Sequence, residues 1–313
     1  MPIAKLLEIY LPLFGWTGMG WFLGRWFPAA VPYYLGRFLF WVGVPLGIVA
    51  FLRHAQVSWS LWLAPVVAWV AVLLGFGLAK LYLRWQDSGW SDRTQTSFLL
   101  TSMVGNTGYI GFPVSLVLVG SKYFAWAVFY DMIGSTPGAY GLGVALASQP
   151  NSLQTSDSAA KPGFNWRALG RSLGLNPAFW GFAIGLLGRD LPLPVWLEVG
   201  LRTIAWVVVS LALILVGIRL SQVKSLKNVK FASVSLAIKM LVVPLLVGIG
   251  LRSLGITGDI HRVIVLQMAM PPAFATLVIA EAYELDQNAT VTTIAIGSLL
   301  LIATLPFWLW IFP

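Results

Sequence analysis

The chain reads Gly105-Asn106-Thr107-Gly108-Tyr109-Ile110-Gly111-Phe112-Pro113 in the middle of an apolar stretch that runs from Phe98 to Val119. Glycine and proline weaken or interrupt a helix, so the run predicts a break in a hydrophobic segment. Hydrocarbon offers no hydrogen-bond partner to a freed backbone amide, and a broken span must therefore face protein or a water-filled cavity. The run predicts a binding site at mid-membrane.

The composition of the whole chain places this run in a membrane protein. Of the 313 residues, 58% are hydrophobic and 10% are charged, and the mean hydropathy is +0.82. The formal net charge of +9 comes from basic residues that lie mostly between apolar stretches. We interpret them as topology signals rather than as a face that binds nucleic acid. The chain has no cysteine, and we expect its two histidines, His54 and His261, to lie alone in loops, which argues against a metal centre.

Ten apolar stretches are candidates for helices that cross roughly 30 Å of hydrocarbon, and the sixth of them is short. They lie near residues 6–24, 33–52, 60–82, 96–119, 123–147, 175–188, 194–218, 231–251, 261–281 and 289–312. The polar stretch from Gln149 to Gly163 has no apolar periodicity, which is typical of a linker. The expected division is a first five-helix repeat at 1–147, a cytoplasmic linker at 148–172 and a second repeat at 173–313.

The loops between the apolar stretches differ in their content of lysine and arginine. Basic residues concentrate in alternate loops, and those loops are predicted to contain Arg84, Arg93, Arg219 and Lys230. The positive-inside rule assigns these loops to the cytoplasm and both termini to the outside. We therefore expect a multi-pass protein of the plasma membrane with its linker in the cytoplasm.

The two halves share sequence features at similar spacing. The pattern Leu-Gly-Arg-x-x-Pro begins at Leu23 and again at Leu187, and Pro113 in span 4 corresponds to Pro271-Pro272 in span 9. Since each half has an odd number of spans, the second half must enter the membrane from the opposite side. The sequence predicts an all-α integral membrane protein with ten transmembrane helices, arranged as a 5+5 inverted repeat in which the broken helices 4 and 9 cross.

Corresponding interruptions in the fourth span of each half locate the candidate site. A single proline is ordinary in a membrane helix, but a cluster of helix breakers beside a polar amide, with a counterpart in the other half, favours a site. The N-termini of half-helices at such breaks present free amides to an anion. The candidate substrate-binding residues are Asn106, Thr107, Gly108, Gly111, Pro113, Gln267, Pro271 and Pro272.

Charged residues inside spans are further candidates, because each costs at least ~2.5–3.5 kcal/mol at a helix centre unless it is paired or hydrated. Asp131 in span 5 either carries a proton or helps to hold sodium, or it makes a structural hydrogen bond to a broken helix. Lys239 in span 8 is either a counter-charge to a substrate carboxylate or to Asp131, or it extends to the cytoplasmic face. Glu198 and Arg202 are spaced i, i+4 in span 7 and are expected to form an ion pair.

Residues Gly105 to Pro113, followed by Val114-Ser115-Leu116, resemble the Asn-x-Gly-x-x-Gly-x-Pro element of the auxin efflux carrier family. This family includes plant PIN-type carriers and bacterial malonate and malate permeases. The resemblance extends over nearly the whole chain and includes Lys239 with Pro244 in span 8 and Ala269 through Ala273 in span 9. The short central linker is similar to that of bacterial members, which implies a location in the bacterial inner membrane.

The resemblance also implies a fold similar to bile-acid symporters and sodium/proton antiporters. In such a fold spans 3–5 and 8–10 form a transport domain, and spans 1, 2, 6 and 7 form a scaffold. The scaffold is expected to make a homodimer, and the transport domain moves against it like an elevator.

The leading hypothesis is a secondary transporter of a small organic anion, either a carboxylate such as malonate or malate or an auxin-like acid. The coupling ion is a proton or sodium, or the transport is uniport, and we expect no cofactor, no metal and no nucleic acid. The alternative is an anion channel or a sodium/proton antiporter on the same fold. An enzyme is not expected, since the sequence has neither a Gly-Lys-Ser/Thr phosphate loop nor a His-Glu-x-x-His motif.

Overall fold

The computed structural model describes residues 3–28, 30–86, 89–148, 170, 174–221 and 229–312. Within these residues the regular structure is helical, and β-structure is limited to one isolated bridge. The helices are α1 (Ile3–Gly24), α2 (Ala30–Leu52), α3 (Trp59–Trp85), α4 (Asp92–Met103), α5 (Thr107–Leu118), α6 (124–147), α7 (Pro177–Leu187), α8 (Val195–Ser221), α9 (Val229–Ser253), α10 (Gly258–Met268), α11 (Phe274–Ala282) and α12 (Gln287–Ile311). The predicted linker at 148–172 lies outside the described residues, apart from residues 148 and 170.

Five of these helices are long and apolar enough to cross a membrane, namely α2, α3, α8, α9 and α12. The shorter helices α5 and α7 are also apolar. The helices therefore define a multi-pass membrane protein, as the composition predicts. The finer division into ten spans and two inverted repeats stays a prediction.

Both interruptions that the sequence predicts are present as short breaks between helices. In the first half α4 ends at Met103 and α5 begins at Thr107, and in the second half α10 ends at Met268 and α11 begins at Phe274. Pro271 and Pro272 lie inside the second break, where neither can disturb a helical hydrogen bond.

The first break is narrower than the Gly105–Pro113 run suggests. Gly108, Gly111 and Pro113 lie within α5, whose first turn is a π-helix that spans Thr107–Gly111. The Gly111 amide donates to the Asn106 carbonyl at 3.0 Å. This bond joins residues five positions apart, as in a π-helix, and not four as in an α-helix. Pro113 then falls in the first turn of the α-helical part, directly after the π-turn, and because proline has no amide it makes no hydrogen bond back to that turn.

The two breaks pair with each other through their backbones. Gly105 and Pro272 form the isolated antiparallel bridge. The Asn106 amide donates to the Pro271 carbonyl at 2.7 Å, and the Ala273 amide donates to the Val104 carbonyl at 3.1 Å. Backbone groups that the helices release are thus satisfied inside the protein, as a membrane interior requires.

Glycines bring two pairs of helices into close contact. A Cβ on Gly20 of α1 would stand 2.1 Å from the Ile214 carbonyl oxygen of α8, and α1 packs along that helix. A Cβ on Gly181 of α7 would stand 2.6 Å from the Pro45 carbonyl oxygen of α2. Side chains larger than hydrogen cannot fit at these positions, and small residues of this kind let membrane helices approach closely.

Two polar expectations from the sequence are wrong. Glu198 does not pair with Arg202 in the described structure; its Oε2 lies 3.3 Å from Nη2 of Arg53, and its Oε1 lies 2.8 Å from Nε2 of His54. The end of α2 approaches the start of α8, so a tertiary contact replaces the local i, i+4 pair. His261 is not in a loop but buried within α10.

Candidate functional site

A cavity of about 550 Å³ opens beside the paired breaks. Its walls come from α2, the start of α5, α6, the start of α7, α8 and the start of α11. Apolar and aromatic side chains dominate the lining, with a few polar groups among them, which is typical of a site for a small molecule. Of the candidate residues from the sequence, the lining contains Asn106, Thr107, Gly108 and Asp131.

Asn106, one of the lining residues, has a buried hydrogen-bond donor without a partner among the described residues. The residue is only 3% exposed, and its Oδ1 accepts a hydrogen bond from the Tyr109 amide at 3.2 Å, as the N-cap of α5. This bond identifies the oxygen of the side-chain amide, so that the nitrogen, Nδ2, is the remaining polar atom. Nδ2 is buried and has no hydrogen-bond partner among the described residues. A buried donor without a partner is costly, so this atom is suited to an acceptor on a ligand.

Two helix N-termini meet the same cavity. α5 begins at Thr107 and α11 begins at Phe274, and both residues line the cavity. The first amides of a helix have no partner within the helix, and the helix dipole makes this end positive. Ala273, the N-cap residue of α11, has no side chain that could cap those amides. The cavity therefore faces two electropositive helix ends, which suits an anion.

Arg219 is a functional candidate that the sequence reasoning missed. The sequence predicts a cytoplasmic loop at Arg219. The structure places Arg219 within α8, where it is half-buried in the cavity wall. Its guanidinium carbon lies 3.9 Å from the centroid of the Phe274 ring, and the described carboxylates form no ion pair with it. A positive-inside count records a charge near a helix end but not whether that end borders a cavity.

Asp131 joins α6 to the start of α5. Its carboxylate is 6% exposed, and Oδ1 accepts hydrogen bonds from the hydroxyls of Thr107 and Thr136, the latter at 3.2 Å. A Cβ on Gly108 would stand 3.3 Å from Oδ2. The structural hydrogen bond expected for Asp131 is therefore present, while its role with an ion stays a prediction.

The other candidates from the sequence lie outside the cavity lining, namely Gly111, Pro113, Gln267, Pro271, Pro272 and Lys239. Gln267 is fully buried in α10, and its Nε2 donates to the Ser115 hydroxyl at 3.1 Å. Its Oε1 faces Gly111, where a Cβ would stand 2.4 Å away. Gln267 thus packs against α5 and does not line the cavity.

Lys239 neither extends to the membrane surface nor pairs with Asp131, while a role as counter-charge to a substrate carboxylate stays a prediction. The side chain is 3% exposed and so does not extend to the membrane surface. Its Nζ donates to the Met268 carbonyl at 2.5 Å, and Asp131 does not pair with it. The lysine therefore belongs to the crossing of the two breaks and not to the cavity.

Aromatic rings form much of the remaining wall and were also missed. They belong to Tyr33, Phe40, Trp41, Tyr109, Tyr140 and Phe274. In a chain with 16 tryptophans and 18 phenylalanines, no spacing distinguishes these rings from the ones that face lipid. Only the crossing of the helices brings them together.

A helical membrane protein with two paired breaks beside an open cavity has the construction of a membrane transporter. Residues 6–309 match the family described as membrane transport protein, and the chain belongs to this family of PIN-like auxin efflux carriers. The resemblance stated from the sequence is confirmed, and the family identifies the protein as a transporter rather than an enzyme.

Two archaeal relatives are similar over most of the chain. An uncharacterised transporter of Methanocaldococcus jannaschii is 28% identical over 247 residues, which cover 77% of this chain and 73% of that protein. An uncharacterised transporter of Methanothermobacter thermautotrophicus is 27% identical over 277 residues, which cover 88% of this chain and 87% of that protein.

Proposed function

We propose that this protein is a secondary transporter that binds a small organic anion, a carboxylate, in the cavity beside the breaks. The observation that carries the proposal is the unpaired Nδ2 of Asn106, a buried donor in the cavity wall. A carboxylate oxygen is an acceptor and a negative charge, so it satisfies this donor and also the electropositive starts of α5 and α11.

Arg219 of α8 adds a positive charge to the cavity wall. Its guanidinium can form two parallel hydrogen bonds with a carboxylate while it remains stacked on Phe274. An anion that reaches both Asn106 and Arg219 links α5 to α8. The apolar and aromatic remainder of the wall accepts the body of the substrate.

Asp131 is the proposed coupling residue, with a proton as the coupling ion. An anion bound in the same cavity as an ionised Asp131 is repelled by it, and a proton on Asp131 removes this repulsion. Anion and proton therefore favour each other's binding. The hydroxyls of Thr107 and Thr136 donate hydrogen bonds to the Asp131 carboxylate and fix its position in the cavity wall.

For the whole molecule we propose the ten-span 5+5 inverted repeat, with repeats at 1–147 and 173–313 and the linker at 148–172 in the cytoplasm. The reciprocal pairing of the breaks supports it, as does the packing of α1 on α8 and of α7 on α2. The helices α1, α2, α7 and α8 would form a homodimeric scaffold, and the others an elevator-type transport domain. Both termini would lie outside a bacterial inner membrane.

The proposed function is tested by counterflow of labelled carboxylates into proteoliposomes, with malonate, malate and an indole-bearing acid as substrates. We expect saturable counterflow of at least one of them. Asn106→Ala and Arg219→Gln should each raise the half-saturating concentration about 10- to 100-fold, as expected for loss of a hydrogen bond to a charged group. Arg202→Gln is the matched control, because Arg202 is an exposed arginine on the same helix.

Asp131→Asn separates charge from hydrogen bonding in the same assay. Asparagine retains an oxygen that accepts from both threonines, so the protein should fold and still exchange substrate. Uptake should no longer respond to an imposed pH gradient. Normal transport by folded Asn106→Ala contradicts the site, unsaturable flux indicates a channel, and sodium/proton exchange without a carboxylate indicates an antiporter.

A further inference from the structure

Lys239 is a buried cation that the proposed function does not use. It lies in the π-helical turn Ala237–Val242 of α9, and its side chain is 3% exposed. The described carboxylates make no ion pair with it, and its Nζ donates to the Met268 carbonyl at 2.5 Å. Such a charge is rare inside a membrane unless something nearby requires it.

The carbonyl that accepts the hydrogen bond from this ammonium group, that of Met268, lies at the crossing of the two breaks. Met268 is the last residue of α10, and the last carbonyls of a helix have no partner within it and carry negative partial charge. A Cβ on Gly105 would stand 2.9 Å from Lys239 Nζ and 3.3 Å from the Met270 carbonyl oxygen. Glycine at 105 thus leaves the space that the ammonium needs between the two breaks.

The crossing therefore has two chemically different sides. The starts of α5 and α11 face the cavity and are electropositive, whereas the end of α10 faces Lys239 and is electronegative. In transporters built from broken helices, unwound carbonyls and the C-terminal ends of half-helices are the groups that coordinate a coupling cation such as sodium. Here an ammonium group donates to one such carbonyl, that of Met268, and its side chain tethers it to α9.

We propose that Lys239 is a built-in cation that takes the place of a bound sodium ion at the crossing, so that the protein folds and transports without sodium. The statement about transport rests on the proposed function, whereas the statement about occupancy of the crossing does not. A melting experiment on the purified protein therefore tests occupancy directly.

The experiment measures Tm in detergent with sodium chloride, choline chloride or propylammonium chloride. The wild-type protein should melt at the same temperature in all three salts. Lys239→Ala leaves the carbonyls without a cation but with space for one, so its Tm should be lower in choline and should rise by roughly 5 °C in saturating propylammonium or sodium. Lys239→Met fills the space without a charge, and its lowered Tm should not respond to either cation.

Lys80→Ala is the matched control, because Lys80 is an exposed lysine of α3 and its removal should leave Tm independent of the cation. A rise of the wild-type Tm that is specific to sodium overturns the proposal, and so does a Lys239→Met protein as stable as the wild type. If Lys239→Ala folds in neither sodium nor choline, recovery of folded protein in propylammonium supports the proposal and failure to recover it overturns it.

A measurement of carboxylate counterflow tests the two proposals separately. Replacement of sodium by choline should leave the rate of wild-type carboxylate counterflow unchanged. Absence of counterflow for every carboxylate refutes the proposed function but leaves the melting result on Lys239 intact. Counterflow that stops without sodium refutes the built-in cation and the proton as the coupling ion, and leaves the proposed carboxylate site intact.

Discussion

Gly111 and Gln267 are in contact, although 156 positions separate them in the sequence. The sequence identifies both as candidates for one site, and they do lie together, but neither lines the cavity. The direction of a side chain near a break depends on how far the helix unwinds there. Residues 107–111 form a π-turn, which rotates each following residue relative to an α-helix and so cannot be derived from spacing alone.

This contact predicts that Gly111→Ala is destabilising. The new methyl group would stand 2.4 Å from Gln267 Oε1 in a fully buried place, so overpacking should lower the free energy of unfolding by about 1–3 kcal/mol. Thermal unfolding in detergent measures the effect. Gly77→Ala in α3 is the control, since nothing lies within 4 Å of its added methyl and alanine favours a helix.

A double variant identifies the cause of the Gly111→Ala effect. Gln267→Ala removes the atoms that the methyl group would meet, so Gly111→Ala with Gln267→Ala should melt at a higher temperature than Gly111→Ala alone. Equal melting temperatures for the single and double variants would mean that another contact is responsible.

At the scale of elements, apolar length and helix breakers locate the helices well. The ends of α3, α8 and α12 lie within a few residues of the expected stretches, and both expected breaks are present. The polar ends of helices are harder to predict, because tertiary partners determine them. Asp286 shows this: its Oδ1 accepts from the Ala289 amide at 2.9 Å as the N-cap of α12, and its Oδ2 accepts from the Thr94 hydroxyl of α4 at 3.0 Å.

The Asp286 contacts predict that Asp286→Ala weakens the junction of α4 and α12. Loss of an N-cap costs about 1–2 kcal/mol, and here the Thr94 hydroxyl loses its partner as well. The free energy of unfolding should fall by at least that amount, whereas Asp286→Asn, which keeps an acceptor oxygen, should lose less. Glu284→Ala is the control, because Glu284 is exposed and its ion pair with Arg93 contributes little. Equal effects of Asp286→Ala and Glu284→Ala would contradict the capping role.

At the scale of the whole molecule, the site combines predictable and unpredictable parts. Asn106 could be found from its place among glycines at a break, because helix breakers signal their position in the sequence. Arg219 could not, because a cation at the end of α8 has the same pattern whether it faces water or a cavity wall. The sequence therefore predicts only part of the candidate site, namely the residues on the broken helices and not the arginine on α8.

The elevator proposal predicts that a cross-link between the two groups of helices stops transport. Phe129 of α6 and Phe182 of α7 have ring centroids 5.2 Å apart. In the proposed arrangement Phe129 belongs to the transport domain and Phe182 to the scaffold. Because the chain has no cysteine, Phe129→Cys with Phe182→Cys provides a unique pair for a short bifunctional thiol reagent. Cross-linking should abolish counterflow, while each single cysteine variant should remain active after the same treatment.

A matched pair within the proposed scaffold distinguishes blocked motion from general damage. Phe51 of α2 and Trp206 of α8 are also 5.2 Å apart by ring centroids, and both belong to the scaffold. Since the proposed motion does not separate α2 from α8, cross-linked Phe51→Cys with Trp206→Cys should still transport. Loss of transport with both pairs, or with neither, would contradict a rigid transport domain that slides along the scaffold.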